Sequence, residues 1–91
     1  MANERFEVYF SGIVQGVGFR YTVIRASRSF AVGGTVQNLP DGRVKMVAEG
    51  EAATIERFIQ QVCESTHGNV KETEISRFPP TGQFSGFEIV F

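Results

Sequence analysis

The chain's densest run of flexible residues ends on a charge: Gly12, Gly16 and Gly18 fall within Gly-Ile-Val-Gln-Gly-Val-Gly-Phe-Arg, closed by Arg20. Glycine permits backbone angles and close approaches that a Cβ forbids, so such a segment can turn several N–H groups inward as a nest for an anion. A helix starting directly after it adds free first-turn amides and a dipole that favours negative charge. Arg20 supplies a planar fork of donors matched to two phosphate oxygens, each charge-assisted hydrogen bond contributing roughly 1.5–3 kcal/mol. A common strand-to-helix turn with a solvated arginine uses the same residues, and the loop alone leaves both readings open. Two other phosphate motifs are excluded. A dinucleotide fingerprint needs glycine where Tyr21 stands, and a P-loop needs Gly-Lys before Ser or Thr, which the chain lacks.

The remaining reactive side chains point to less. His67 is the only histidine and sits in a His-Gly-Asn turn, where it reads as a solvated loop residue. Cys63, the only cysteine, lies beside Val62 on a helical stripe and reads as a structural thiol without a partner base. Glu49, Glu51 and Glu56 read as the solvated start of a helix, where acids suit the dipole. No His, Cys, Asp and Glu cluster has metal-ligand spacing, so no metal or other cofactor is expected.

The elements that must position the loop follow from periodicity. Phe6, Val8 and Phe10 alternate with polar residues, which predicts a strand over 5–14. Phe19, Val23, Ala26 and Phe30 predict an amphipathic helix to about Ala31, ended by Gly33-Gly34. Thr35–Asn38 is a short strand, Leu39-Pro40-Asp41-Gly42 suits a type I turn, and Val44, Met46 and Ala48 alternate along the return strand. Ile55, Phe58, Ile59 and Val62 form the stripe of a second helix; strands at 70–78 and 87–91 follow.

This order fits an α+β, ferredoxin-like split βαβ sandwich: a four- to five-stranded antiparallel sheet with two helices on one face. In that plan the first two strands run parallel with the third between them, so the glycine loop and Asn38 leave the sheet at the same edge, about 10 Å apart.

Ninety-one residues with 42% apolar content, including nine Phe, suit one domain over 1–91 with its own core. The net charge of −1 lacks the basic excess of a nucleic-acid binder, so no nucleic acid is expected as a partner. One cysteine fits a reducing compartment, and no segment has signal-peptide or membrane-spanning character. These features predict a cytoplasmic monomer that engages no membrane.

Gly12 to Arg20 resembles the first signature of the acylphosphatase family, and Gly34-Thr35-Val36-Gln37-Asn38 resembles the second, followed by Gly42, Val44 and Gly50 at the family's intervals. Phe10, Ile13 and Thr35 depart from the family pattern at flanking positions, which bear on substrate access and affinity rather than on the chemistry. The resemblance implies hydrolysis of small acyl phosphates to carboxylate and inorganic phosphate. It implies that Arg20 holds the phosphoryl oxygens with backbone amides of Gln15, Gly16, Val17, Gly18, Phe19 and Arg20 itself, and that the Asn38 amide holds the attacking water. So sparse a site is sufficient chemically. The leaving carboxylate has a conjugate acid of pKa roughly 4 and requires no general acid, and phosphoryl transfer asks mainly for positioning and charge stabilisation. A non-catalytic phosphate-binding module with the same loop is the alternative, and a ferredoxin-like sheet face for RNA or a protein ranks below both.

Overall fold

Burial follows the alternation closely. Phe6, Val8 and Phe10 turn to one side of the first strand, Val44, Met46 and Ala48 to the same side of its neighbour, and all six are buried. The computed structural model describes residues 2–16 and 18–91. Its elements run β1 (Asn3–Gly12), α1 (Phe19–Ser27), β2 (Gly33–Asn38), β3 (Val44–Glu51), α2 (Ala52–Ser65), β4 (Val70–Phe78) and β5 (Phe87–Val90). The five strands form one sheet in the order β4-β1-β3-β2-β5, with β3 between β1 and β2.

The core lies between the sheet and the two helices. Phe19 and Val23 face it from α1, and Ile55, Phe58, Ile59 and Val62 face it from α2. Phe10 meets Phe19 edge-on at 5.1 Å between ring centroids, and Phe58 meets Phe87 at 5.3 Å. Such aromatic pairs add about 0.5–1.5 kcal/mol beyond area burial.

The expected antiparallel pairing holds for β4, β1, β3 and β2, whereas β5 joins β2 parallel, so the sheet is mixed. The cause is the route of segment 79–86. It leaves the far edge strand β4 and passes the end of the sheet where Glu49 pairs with Arg5 and Gly33. There Thr81 and Gly82 bond to the Glu49 carboxylate, and Gly34 donates its N–H to Gly86 at 2.9 Å. Entering β2's side from that end, β5 can only run in β2's own direction.

Two local expectations are corrected. Gly33-Gly34 does not end α1; the helix stops at Ser27, whose hydroxyl donates to the Ile24 carbonyl at 2.6 Å, and both glycines open β2. A Cβ on Gly34 would collide with the Val47 carbonyl oxygen, so β2 reaches β3 this closely only without a side chain there. Glu49 is not part of a solvated helix start. It belongs to β3 and is buried, whereas Glu51 and Glu56 are exposed as expected.

Candidate anion site

β1 ends at Gly12, where its register with β4 shifts. Ile13 then donates its N–H to the Asn69 carbonyl at 2.8 Å, and Val14 is buried in the core, which anchors the front of the loop. Gly16 and Gly18 adopt φ of +76° and +75°, a left-handed conformation that side-chain-bearing residues rarely take. A Cβ at either position would meet nothing within 4 Å, so these glycines serve the backbone path rather than the space around it.

Gly18 is also the N-cap of α1 and offers no side-chain cap, and no acidic residue stands in the helix's first turn. The first intrahelical bond runs from Thr22 N–H to the Gly18 carbonyl, so the amides of Phe19, Arg20 and Tyr21 precede the helix's own ladder. Phe19 locks this start by its contact with Phe10, which leaves the next residue, Arg20, half-buried at the sheet's end. The Arg20 guanidinium carbon lies 5.3 Å from the ring centroid of Phe91 and pairs with no carboxylate among the described residues.

Asn38 arrives from the other side of β3. The registers Phe10↔Val44 and Asn38↔Val44 set the three residues in one row across β1, β3 and β2. Asn38 shares the side of β2 that buries Gly34 and Val36, the side on which α1 packs. Its Oδ1 is buried and has no hydrogen-bond partner among the described residues. A buried amide oxygen left unpaired costs about 1–3 kcal/mol, so this atom calls for a hydrogen donor. The turn beyond it is braced by Asp41, whose carboxylate accepts from Arg43 N–H at 3.0 Å and Arg43 Nε at 2.7 Å. The backbone bond to Arg43, then its side chain, hold the Asp41 carboxyl below the usual range.

The fold therefore brings the elements bearing Gln15, Gly16, Gly18, Phe19, Arg20 and Asn38 to one end of the sheet; Val17 lies outside the described residues. Two participants escaped sequence reasoning. Phe91 continues the alternation of Phe87 and Ile89 but passes beyond the strand, where its ring reaches Arg20 instead of the core. The Gln15 side chain, read only for its backbone amide, makes two hydrogen bonds to the β2–β3 hairpin. Cys63 is half-buried and burial pushes its thiol up, in keeping with a structural role; His67 is exposed in its turn. Among the described residues no acid, histidine and cysteine cluster suits a metal ion, and no helix is long and apolar enough to cross a membrane.

Fold and loop together define a ferredoxin-like α/β sandwich with a glycine-rich turn opening a helix at the same sheet end as a half-buried asparagine. The acylphosphatase family model matches residues 6–89, and the chain belongs to the acylphosphatase family. It is 40% identical over 87 residues to the acylphosphatase of Rubrobacter xylanophilus, covering 94% of this chain and 79% of that one. It superposes on the crystal structure of acylphosphatase from Bacillus subtilis with TM-score 0.88 and 30% identity, over 97% of this chain and 99% of the other. Full-length HypF in its phosphate- and nucleotide-bound form is similar at TM-score 0.83 and 27% identity, over 98% of this chain but 12% of HypF.

Proposed function

We propose that this chain hydrolyses the carboxyl–phosphate bond of small acyl phosphates, releasing a carboxylate and inorganic phosphate. Backbone amides between Gln15 and Arg20 and the Arg20 guanidinium hold the phosphoryl oxygens, and the Asn38 amide holds the attacking water. The observation that carries this reading is convergence: the glycine loop with Arg20 leaves β1, and Asn38 ends β2, at one end of the sheet, with Phe10, Val44 and Asn38 in a single row. A water held by the Asn38 side-chain amide keeps a lone pair free for phosphorus. As the water oxygen bonds to phosphorus, the bond to the acyl oxygen breaks, its electron pair leaves with the carboxylate, and the water's proton ends on the phosphate product. Arg20 and the amides meet the charge carried by the phosphoryl oxygens in flight.

A steady-state assay with benzoyl phosphate, with inorganic phosphate as competitor, tests the assignment. Arg20→Gln and Asn38→Ala should each lower turnover by at least about a hundredfold while the fold persists, and wild-type-like activity in either would overturn it. Phosphate binding without hydrolysis of several acyl phosphates would instead assign a non-catalytic anion module.

A further inference from the structure

We propose that Gln15 is a positioning residue, whose side-chain amide clamps the glycine loop to the neck of the β2–β3 hairpin and so sets Asn38 against the bound phosphoryl group. The inference rests on the hydrolase reading above and assigns to the Gln15 side chain a task distinct from that of its backbone amide.

Gln15 Nε2 lies 2.7 Å from the Leu39 carbonyl oxygen and 2.8 Å from that of Arg43. Both partners are acceptors only, so the NH2 end of the amide must face them. The two carbonyls close the hairpin's neck: Leu39 N–H donates to Arg43 O at 2.8 Å, and Gly42 N–H donates to Leu39 O at 3.2 Å. Each carbonyl oxygen has a second lone pair, and Gln15 occupies both second sites with one nitrogen. The clamp thereby joins segments 24 and 28 residues apart.

Its location decides its effect. Asn38 is the last residue of β2, pairs with Val44, and immediately precedes Leu39. The other end of the clamp is bonded to the loop that carries Gly16 and Gly18. One side chain thus ties the phosphate cradle to the strand end that holds the water. The loop keeps its own anchors at Ile13 and Val14, so its grip on phosphate through backbone amides does not depend on the Gln15 side chain. The alignment of water with phosphorus does, and a misplacement near 1 Å costs on the order of a hundredfold in rate.

Gln15→Met keeps the side chain's length and removes both donors. With benzoyl phosphate its kcat should fall by roughly 10- to 100-fold, while the inhibition constant for inorganic phosphate stays within about threefold of wild type. A kcat within about twofold of wild type would overturn the clamp, as would equal losses in kcat and phosphate affinity, the mark of a merely structural residue. Amide exchange on the wild-type protein gives a second test independent of any variant's folding. The Gln15 side-chain hydrogens should exchange slowly and couple through hydrogen bonds to the Leu39 and Arg43 carbonyl carbons; fast exchange without coupling would overturn the proposal. A wild type inert toward acyl phosphates would overturn the hydrolase reading itself, a result distinct from an active wild type matched by Gln15→Met.

Discussion

The two ends of the sheet both set backbone amides beside glycines of positive φ, and one of them holds a carboxylate of the chain's own. At the end where β1 begins, the Glu49 carboxylate accepts from Thr81 N–H at 2.8 Å, Thr81 Oγ1 at 2.7 Å and Gly82 N–H at 3.0 Å. At the end where β1 finishes, Gly16, Gly18 and the first turn of α1 present amides with no acidic side chain in that turn. Each place sets backbone N–H groups beside a glycine of positive φ, Gly82 at +73° in one case. Where the chain supplies its own carboxylate, the nest becomes a latch for segment 79–86. Where it withholds one, the same geometry is free for the phosphoryl group of the proposed reaction.

Four experiments bear on this contrast, the largest effect first. Arg20→Gln should lower kcat/KM for benzoyl phosphate by on the order of a thousandfold, and Asn38→Ala by on the order of a hundredfold or more, as for the loss of a single transition-state donor. Circular dichroism should report an unchanged fold. Glu49→Ala should do the reverse, sparing kcat while lowering stability by about 2 kcal/mol, or roughly 8–16 °C in Tm for a domain of this size. Loss of activity without loss of stability in that variant would erase the distinction between the two ends.

The third effect is a pH dependence of stability at the latch. Burial alone would raise the Glu49 pKa, but the Thr81 hydroxyl, the amides of Thr81 and Gly82 and the Arg5 charge together pull it below the ordinary value of 4.5. As pH falls, the unfolded chain therefore takes up this proton first. The latch's contribution is complete above that ordinary value and is lost as pH drops through the lowered one. Denaturant titrations at several pH values should show a shallower acid limb for Glu49→Ala; an unchanged limb would place that dependence on other carboxyls, such as Asp41. The smallest effect tests the contrast by construction. Tyr21 is exposed in the first turn of α1, and Tyr21→Glu gives that turn a carboxylate of its own. It should stabilise the helix by about 0.3–1 kcal/mol and raise KM by roughly two- to fivefold. An unaltered KM would separate the helix terminus from anion binding.

Much of this organisation was legible in the chain because it is local. The 3.6-residue stripe of Ile55, Phe58, Ile59 and Val62 and the alternation of Phe6, Val8 and Phe10 each record a buried face directly. The glycine loop and its arginine were likewise visible as a unit. What stayed hidden depends on partners distant in sequence. Glu49 looks like a surface acid until Thr81 and Gly82, 32 and 33 residues later, cover it. Gly33-Gly34 looks like a helix stop because the backbone crowding at Val47 that requires glycine lies on another strand. Alternation in Phe87 and Ile89 marks a strand but carries no direction, so the parallel pairing of β5 was not legible. Gln15 offered only an amide; its acceptors belong to the turn beyond Asn38.

The position of β3 has a consequence for how the protein comes into being. β1 and β2 lead to the loop and to Asn38, yet they do not pair with each other; β3, made after both, is what separates and aligns them. During synthesis, a nascent chain ending at Asn38 holds every residue of the proposed site and none of its geometry. Until residues up to Glu51 have emerged and inserted between strands already made, the two parts of the proposed site cannot be aligned. Pairings of this kind join distant segments and fold slowly compared with local ones, so recovery of phosphate affinity on refolding should lag behind helix formation.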